Sequence, residues 1–437
     1  VRVFYHTFGC KANQYDTERM RQELAARGAT TTARIADADL CVLNTCTVTN
    51  NADAEARRMV RRVRRLRPDA RIVVAGCSAA LHAPDFEAMD GVTAVVPGHD
   101  PVRVAEASAP ATLVKLDDRR GLDRLDVEPV GGELLRRRSA GTRGWLKIQD
   151  GCDRKCAFCA TRLARGASRS RPPGAVVSEA RLLARHHPEI VLTGIHIGHY
   201  GHDLDDPGTL GALVNRLLDE VPDVRFRLGS VEATEICDEL VDRLCDSGGR
   251  LAPHLHMPLQ SGADPVLRRM RRWHTRDQYR RRTLEIAERL PVLGLGADII
   301  TGFPGETESD HRATAELVEE LPFTYLHVFP FSPRDDTVAA RLVREMPVPE
   351  RVAGERSREL RDLVREKART YESGRSGGAA QVVVEREGSG LTGDYLRVAI
   401  PGAPARRVGH LACGVLQMGP DGLYIEGLGP DGASPRT

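Results

Sequence analysis

Short apolar runs alternate with amphipathic stretches over the first hundred residues. Val3–Phe8, Leu40–Thr45, Ile72–Ala75 and Thr93–Val96 read as strands. A helix is predicted from about Asp16 to Arg27, stopped by Gly28. A second runs from Ala52 to Leu66, with Ala56, Met59, Val60, Val63 and Leu66 at helical spacing. This alternation predicts an α/β, doubly wound parallel sheet. From about Asp117 the pattern weakens, and Gly131-Gly132 and Arg136-Arg137-Arg138 suggest an exposed connector. Strand–helix units then resume, with strands at Trp145–Gln149, Glu189–Leu192, Arg225–Leu228, His254–Met257, Ala297–Ile300 and Tyr325–Phe329. Helical stretches lie between them, at about Val176–His186, Leu210–Glu220, Glu235–Asp246, Asp264–Leu290 with a break, and Glu308–Glu320. Six units are too few for a closed eightfold barrel, so a partial (β/α)6 barrel is expected. From Gly378 to Gly427, short strands at Gln381–Glu385, Tyr395–Ile400, Val408–Gln417 and Leu423–Glu426 are separated by glycine-rich turns and predict a small β-barrel. The expected division is 1–116, a linker 117–138, a core 139–372 and a C-terminal barrel 373–437.

Composition narrows the class. With 41% hydrophobic and 28% charged residues in 437, this is a soluble globular chain of two or three domains. No apolar run approaches membrane-span length and no secretory h-region stands at the N-terminus, so a cytoplasmic protein is expected. Ten cysteines in such a chain point to metal binding or catalysis rather than a disulfide framework. The net charge of +2 leaves any nucleic-acid affinity to local patches.

Three of those cysteines, Cys152, Cys156 and Cys159, stand at C-x3-C-x2-C spacing just past an apolar run. Such a loop can hold one face of a cubane iron–sulfur cluster and leave an iron open to a cosubstrate. A structural zinc site is the alternative, but no second pair of ligands lies nearby and the three-residue gap is unusual for it. Cys10, Cys46 and Cys77 follow the first, second and third predicted strands. In a parallel sheet all strand C-termini open on one edge, so these thiols converge there as a second three-thiolate site. Cys41 begins its strand and reads as a buried packing residue, as do Cys237 and Cys245 on a predicted helix. The first cysteine loop lies on the C-terminal face of the barrel. The other strand ends bring Thr193-Gly194, Gly229–Glu232, Pro258–Gly262 and Thr301–Gly305 to the same face. His196, His199 and His202 read as exposed loop histidines.

The spacing of the loop, with Phe158 before its last cysteine, is similar to that of the radical S-adenosylmethionine (SAM) enzymes. The stretches Phe8-Gly9-Cys10-Lys11-Ala12-Asn13-Gln14, Asn44-Thr45-Cys46-Thr47-Val48-Thr49-Asn50 and Gly76-Cys77 resemble the methylthiotransferase family, over nearly the whole chain. Lys11 after the first cysteine resembles the branch acting on N6-threonylcarbamoyladenosine in tRNA (MtaB-like). The isopentenyladenosine branch usually reads Gly-Cys-Gln-Met-Asn there, and the branch modifying a ribosomal-protein aspartate Gly-Cys-Pro-Lys-Asn. The resemblance implies two 4Fe–4S clusters. The one on Cys152, Cys156 and Cys159 cleaves SAM to a 5′-deoxyadenosyl radical, and an auxiliary one on Cys10, Cys46 and Cys77 carries the sulfur. It implies abstraction of hydrogen from adenine C2, then insertion of sulfur and a methyl group from a second SAM. It points to Thr193 and Gly194 for the methionyl amine, and to Ser230, Glu232, Gln260 and Asp298 as further SAM-pocket residues. The C-terminal barrel resembles the TRAM domain, an RNA-binding appendage. The implied partners are a tRNA anticodon stem-loop, a low-potential electron donor and a sulfur donor, with the chain acting as a monomer. Departures from the family pattern fall at Ala160–Leu163, Gly229, Ala233 and Asp336, none of them a cluster cysteine.

Basic runs suit an RNA partner. Arg57, Arg58, Arg61, Arg62, Arg64, Arg65 and Arg67 share one helix; Arg162, Arg165, Arg169 and Arg171 follow the cluster loop. Arg268, Arg269, Arg271, Arg272, Arg276 and Arg280–Arg282 interleave with Trp273 and Tyr279, aromatics able to stack on unpaired bases. Rival readings are methylthiolation of another modified adenosine or of a ribosomal protein, and a non-catalytic iron–sulfur RNA-binding sensor.

Overall fold

The computed structural model describes residues 1–47, 50–109, 134–139, 141–402 and 408–429. Val48, Thr49, most of the expected linker, and Arg406 and Arg407 lie outside them.

The N-terminal unit is a five-stranded parallel sheet of β1 (Arg2–Thr7), β2 (Thr30–Thr31), β3 (Leu40–Thr45), β4 (Arg71–Gly76) and β5 (Val92–Pro97). Its order is β2-β1-β3-β4-β5, a doubly wound topology whose switch point falls between β1 and β3. Residues alternate along each strand between two cores. Cys41, Leu43, Ile72 and Val74 face one side with Ala56, Val60 and Val63 of the helix Asn50–Leu66. Val42, Val73 and Ala75 face the other with Met20 and Leu24 of α1 (Lys11–Ala26). Cys41 is fully buried, as expected.

The central unit contains six parallel strands, β6 (Gly144–Lys147), β9 (Glu189–Thr193), β10 (Arg225–Leu228), β11 (His254–His256), β12 (Gly294–Thr301) and β13 (Tyr325–Pro330), with a short antiparallel ribbon β7 (Gln149–Asp150) and β8 (Arg169–Ser170) after the first. The runs β10-β9-β6 and β11-β12-β13 join through bridges Phe226↔Leu251 and Ser230↔His256. Among the described residues β6 and β13 do not pair, so the barrel stays open on that side. Leu146, Val191, Phe226, Leu255 and Leu295 belong to one continuous core beneath the helices.

The C-terminal unit is a closed barrel of β14 (Ala379–Arg386), β15 (Ser389–Thr392), β16 (Arg397–Ala399), β17 (Leu411–Gly419) and β18 (Gly422–Gly429). It docks against the strand-start end of the central barrel. Arg225 donates to the carbonyls of Gln381 and Leu391 at 2.9 and 3.2 Å, and Arg227 to those of Thr392 and Gly393, both at 2.8 Å. Both guanidiniums also bond Glu189, at 2.6 and 2.9 Å. Burial opposes ionisation of Glu189, but Arg227 and Arg225 outweigh it and hold its carboxyl well below the ordinary range. A Cβ on Gly294 would stand 2.1 Å from the Asp394 carbonyl oxygen, so that close approach requires glycine.

Among the helices not read from sequence are Val338–Glu345 and Glu350–Arg375. The second buries Ala353, Leu360 and Val364 at helical spacing inside a run dominated by arginine and glutamate. Residues 134–139, the described part of the segment before β6, are anchored: Leu135 is fully buried, Gln22 of α1 donates to the Leu134 carbonyl at 3.1 Å, and Arg138 lies 4.3 Å from the Trp145 ring.

Candidate functional site: two cysteine sets across a buried charge network

Cys10 ends the loop after β1 and is the N-cap of α1; Cys46 follows β3; Cys77 opens the helix Cys77–Leu81 after β4. All three therefore meet at the switch point of the sheet. Asn13 and Asn44 hold the strand ends together. The Asn13 amide donates to the Phe8 and Thr45 carbonyls at 2.9 and 2.8 Å, and that of Asn44 to the Asn13 carbonyl at 2.8 Å. Gly9 has φ +84°, and a Cβ there would fall 2.3 Å from Cys46 Sγ, so no other residue fits between the first two cysteines. Burial pushes the Cys77 thiol up to about 12, with Cys46 and Cys10 adding to the shift and Arg165 opposing it. Its sulfur also stands 3.6 Å from His99 Nε2.

The loop Cys152–Cys159 is braced on both sides. Cys152 N–H donates to the Gly166 carbonyl at 3.1 Å, and Ala157 N–H to that of Met270 at 2.9 Å. Gln149 donates to the carbonyls of Asp150 and Gly151 and accepts from His196 N–H at 2.8 Å. Each sulfur meets one nitrogen: His196 Nδ1 is 3.8 Å from Cys152, Arg272 Nη1 3.6 Å from Cys156, and the Thr161 N–H 3.4 Å from Cys159. His196 is buried against Glu235 at 2.8 Å. Burial disfavours its protonation, but the bonds to Cys152 and Glu235 outweigh that and raise it to about 9. It is therefore not the exposed loop histidine expected.

Neither set brings its three Sγ atoms within 4.8 Å of one another; among the described residues only His256, Asp298 and His327 form such a ligand trio. Tetrahedral zinc, with Zn–S of about 2.3 Å, would need sulfurs about 3.8 Å apart. Thiolates on separate irons of a cubane stand farther apart, and nitrogen donors aimed at the sulfurs suit a cluster's outer shell. Both donor sets fit a 4Fe–4S cluster with one iron left open.

Between the sets runs a buried network. Arg165 donates to Asp150 at 2.7 and 2.9 Å, to Asp16 at 2.9 Å and to Asn13 Oδ1 at 2.5 Å. Lys147 Nζ donates to Asp16 at 2.5 Å and Asp150 at 2.8 Å. Two cations balance two carboxylates, none of them more than 4% exposed. Burial opposes charge on Asp16 and Asp150, but Lys147 and Arg165 hold both below the ordinary range. Burial pushes His99 down to about 3, so it is neutral here. Asn13, Asp16 and His99 come from the N-terminal unit, Lys147, Asp150 and Arg165 from the barrel: the network is the joint between the two cysteine sets.

A cleft of about 340 Å³ opens beside this joint, lined by Thr47 after Cys46, Ala160 after Cys159, and by Asp53, Arg57 and Arg334. Arg334 is buried and lies within electrostatic reach of Cys46 and Cys159. It also lines a second cavity of about 170 Å³ inside the barrel, with Phe158, Gln260, Asp298, Phe329 and Phe331. A cavity of about 1120 Å³ lies at the far end of the barrel against the C-terminal unit and holds none of the expected site residues.

The expected SAM-pocket residues divide. Gln260 and Asp298 share the barrel cavity; Gln260 has φ +69° and its N–H donates to the Asp298 carbonyl at 2.8 Å. The Asp298 carboxylate meets His256 at 3.2 Å and His327 at 3.3 Å. Thr193 ends β9, and Gly194 packs against Gln149. Ser230 bridges to His256. Glu232 is bonded to Arg272, the arginine that reaches Cys156.

The basic runs are corrected in part. Arg165 belongs to the network, and Arg171 is buried on Glu179 at 2.9 Å. In the third run Arg269, Arg272, Arg276, Arg280, Arg281 and Arg282 all pair with carboxylates. Tyr279 is fully buried, its hydroxyl on the Met257 carbonyl at 2.7 Å, and Arg154 and Arg272 each lie over the Trp273 ring, 4.2 Å from its centroid. On the helix Asn50–Leu66, Arg57 and Arg64 pair with Asp85 and Asp90, whereas the exposed Arg61, Arg62 and Arg65 pair with no described acid. Cys237 and Cys245 are exposed, not packed: Cys237 caps the helix Asp238–Asp246.

An open six-stranded barrel with three cysteines on the loop after its first strand defines a radical SAM enzyme. The Radical SAM superfamily matches residues 146–318, and the family described as Uncharacterized protein family UPF0004 matches residues 2–98. Threonylcarbamoyladenosine tRNA methylthiotransferase MtaB of Bacillus subtilis is 36% identical over 92% of this chain and 90% of its own; its namesake in Aquifex aeolicus is 32% identical over 91% and 96%. The tRNA-2-methylthio-N(6)-dimethylallyladenosine synthase of Paracoccus denitrificans is 34% identical over 94% and 93%. The chain belongs to the radical SAM methylthiotransferase family, with MtaB-type relatives over most of its length. In fold it is similar to the radical SAM methyltransferase TsrM from Kitasatospora setae, at TM-score 0.56 and 16% identity over 79% of this chain and 78% of that one.

Proposed function

We propose that this chain is a tRNA methylthiotransferase that places sulfur and a methyl group on adenine C2 of N6-threonylcarbamoyladenosine beside the anticodon. What carries the reading is the juxtaposition of two three-thiol sets joined by one buried network, with the residues that follow Cys46 and Cys159 lining one cleft. Cys152, Cys156 and Cys159 would hold one 4Fe–4S cluster and Cys10, Cys46 and Cys77 the other. Bound there with SAM, these groups supply the radical and the sulfur. The chain's own residues do the rest. His196, Arg272 and the Thr161 N–H donate to the loop sulfurs and so set their electron density. Gln260 and Asp298, with Phe158 and Phe329, offer SAM a pocket that is polar at one end and apolar at the other, with Thr193, Gly194, Ser230 and Glu232 around the strand ends.

Arg334, which lines the cleft and lies within electrostatic reach of Cys46 and Cys159, would face a base held between the sets. An unpaired anticodon-loop base enters it without melting a duplex, and Arg61, Arg62, Arg65 and Arg162 offer the RNA backbone exposed positive charge. The units 1–116, 139–372 and 373–437 act as sulfur carrier, radical source and RNA-binding barrel, in a monomeric cytoplasmic enzyme that draws on an electron donor and a sulfur donor. No described helix is long and apolar enough to cross a membrane. Because the dimethylallyladenosine relative is as similar as several MtaB relatives, the choice of substrate rests on the stretch from Cys10 to Gln14.

Mass analysis of tRNA nucleosides from cells lacking the gene tests this. The 2-methylthio derivative should vanish while N6-threonylcarbamoyladenosine accumulates. An unchanged level, or loss of the isopentenyl derivative instead, would overturn the substrate.

A further inference from the structure

Lys11 is the first residue of α1, directly after Cys10, and among the described residues it forms no ion pair. Its ammonium instead lies 5.7 Å from the Trp145 ring centroid. Arg138 and Arg143 approach the same ring, at 4.3 and 5.5 Å, and Arg227 lies within electrostatic reach. The acids nearby are already engaged. Arg143 takes Glu385 at 2.8 Å, while Glu189 is shared by Arg143, Arg225 and Arg227. Lys11 is thus a surplus cation among basic and aromatic side chains, with His254 also within its electrostatic reach. A partly desolvated ammonium without an acid beside it is a site for a carboxylate.

A threonylcarbamoyl group on N6 presents one carboxylate and one hydroxyl; an isopentenyl group is wholly apolar. Both C2 and C6 of adenine flank N1, so a base with C2 at the sulfur-bearing set points its N6 substituent to one side of it. Lys11 begins one residue from Cys10 and reaches a side chain's length from that set.

We propose that Lys11, supported by Trp145, binds the substituent's carboxylate and so selects threonylcarbamoyl over isopentenyl adenosine. This rests on the methylthiotransferase reading above.

The test uses full-length, anaerobically reconstituted enzyme and two synthetic anticodon stem-loops that differ only in that substituent, with Lys11→Gln and Lys11→Arg beside wild type. Equilibrium binding by fluorescence anisotropy and methylthio product by mass spectrometry are both read, and iron content and visible absorbance check that each variant is intact. Lys11→Gln should weaken binding of the threonylcarbamoyl stem-loop roughly tenfold to a hundredfold. Its binding of the isopentenyl stem-loop should be unchanged within about twofold, and Lys11→Arg should recover most of the loss. An equal loss on both stem-loops would make Lys11 a backbone-phosphate contact and overturn the proposal. So would no loss on either, loss of iron from Lys11→Gln, or a weakening of SAM binding, which would assign the ammonium to SAM's own carboxylate. Wild-type enzyme that ignores the threonylcarbamoyl stem-loop would overturn the functional reading as well; wild-type discrimination retained by Lys11→Gln would overturn only the role of Lys11.

Discussion

Cys152, Cys156 and Cys159 arrive together on one loop, whereas Cys10, Cys46 and Cys77 are carried to one place by three strands of a sheet. The loop set keeps its geometry by local bonds to Gly166, Met270 and Gln149. The strand set depends on the whole N-terminal sheet, and on Asn13 and Asn44 tying strand ends together. The contrast extends to the environment. All three loop sulfurs are met by nitrogen donors, while the strand set lies against Arg165 and a neutral His99. One set is held and contacted as a local unit. The other is coupled, through Arg165, Asp16, Asp150 and Lys147, to the position of the barrel itself.

The sharpest way to separate the sets is to remove them in turn. Serine at Cys152, Cys156 or Cys159 should abolish both 5′-deoxyadenosine formation and the methylthio product, down to background. Serine at Cys10, Cys46 or Cys77 should abolish the product and leave SAM cleavage measurable by liquid chromatography. Equal loss of SAM cleavage from both sets would erase the distinction.

Next is the joint. Arg165→Met leaves two buried carboxylates facing Lys147 alone, and breaking such a network costs about 3–5 kcal/mol. Denaturant unfolding should show that loss, and iron should fall at the strand set before the loop set. A change under about 0.5 kcal/mol would mean that the network does not hold the units together.

Glu189→Gln tests a second joint, that of the C-terminal barrel, by leaving Arg225 and Arg227 without their acid. A loss of similar order, about 3 kcal/mol, is expected at pH 7. Because the folded carboxyl titrates below its unfolded value of about 4.3, its contribution is complete above that pH and fades as pH falls below it. The gap between wild type and variant in urea unfolding should therefore narrow in acid; a gap that widens would contradict the assignment. The smallest effect is at the barrel cavity. Gln260→Ala should weaken SAM binding by about fivefold in calorimetry, the worth of about one hydrogen bond.

The same contrast governs what could be read from the chain. The loop motif is legible because its three cysteines are close in sequence. The strand set was legible because period-2 runs ended at each cysteine and a parallel sheet gathers strand ends. Side chains that act across units left no such trace. Asp16 and Arg165 are ordinary charges until α1 is placed against β6, and Arg165 read as part of an RNA patch. His196 read as a loop histidine because nothing local announces Glu235 or Cys152 as its neighbours. The helix Glu350–Arg375 was overlooked because its apolar stripe, Ala353, Leu360 and Val364, is diluted by charge. Trp273 and Tyr279 looked like stacking platforms, yet the arginines around them are already paired.

Iron and sulfide counts on anaerobically reconstituted protein reach the central claim most directly. Wild type should hold about eight irons per chain, and the variant with serine at Cys10, Cys46 and Cys77 about four, with the loop set still loaded. About four in both would mean that the strand-end cysteines hold no cluster, and the picture of two facing sites would be wrong.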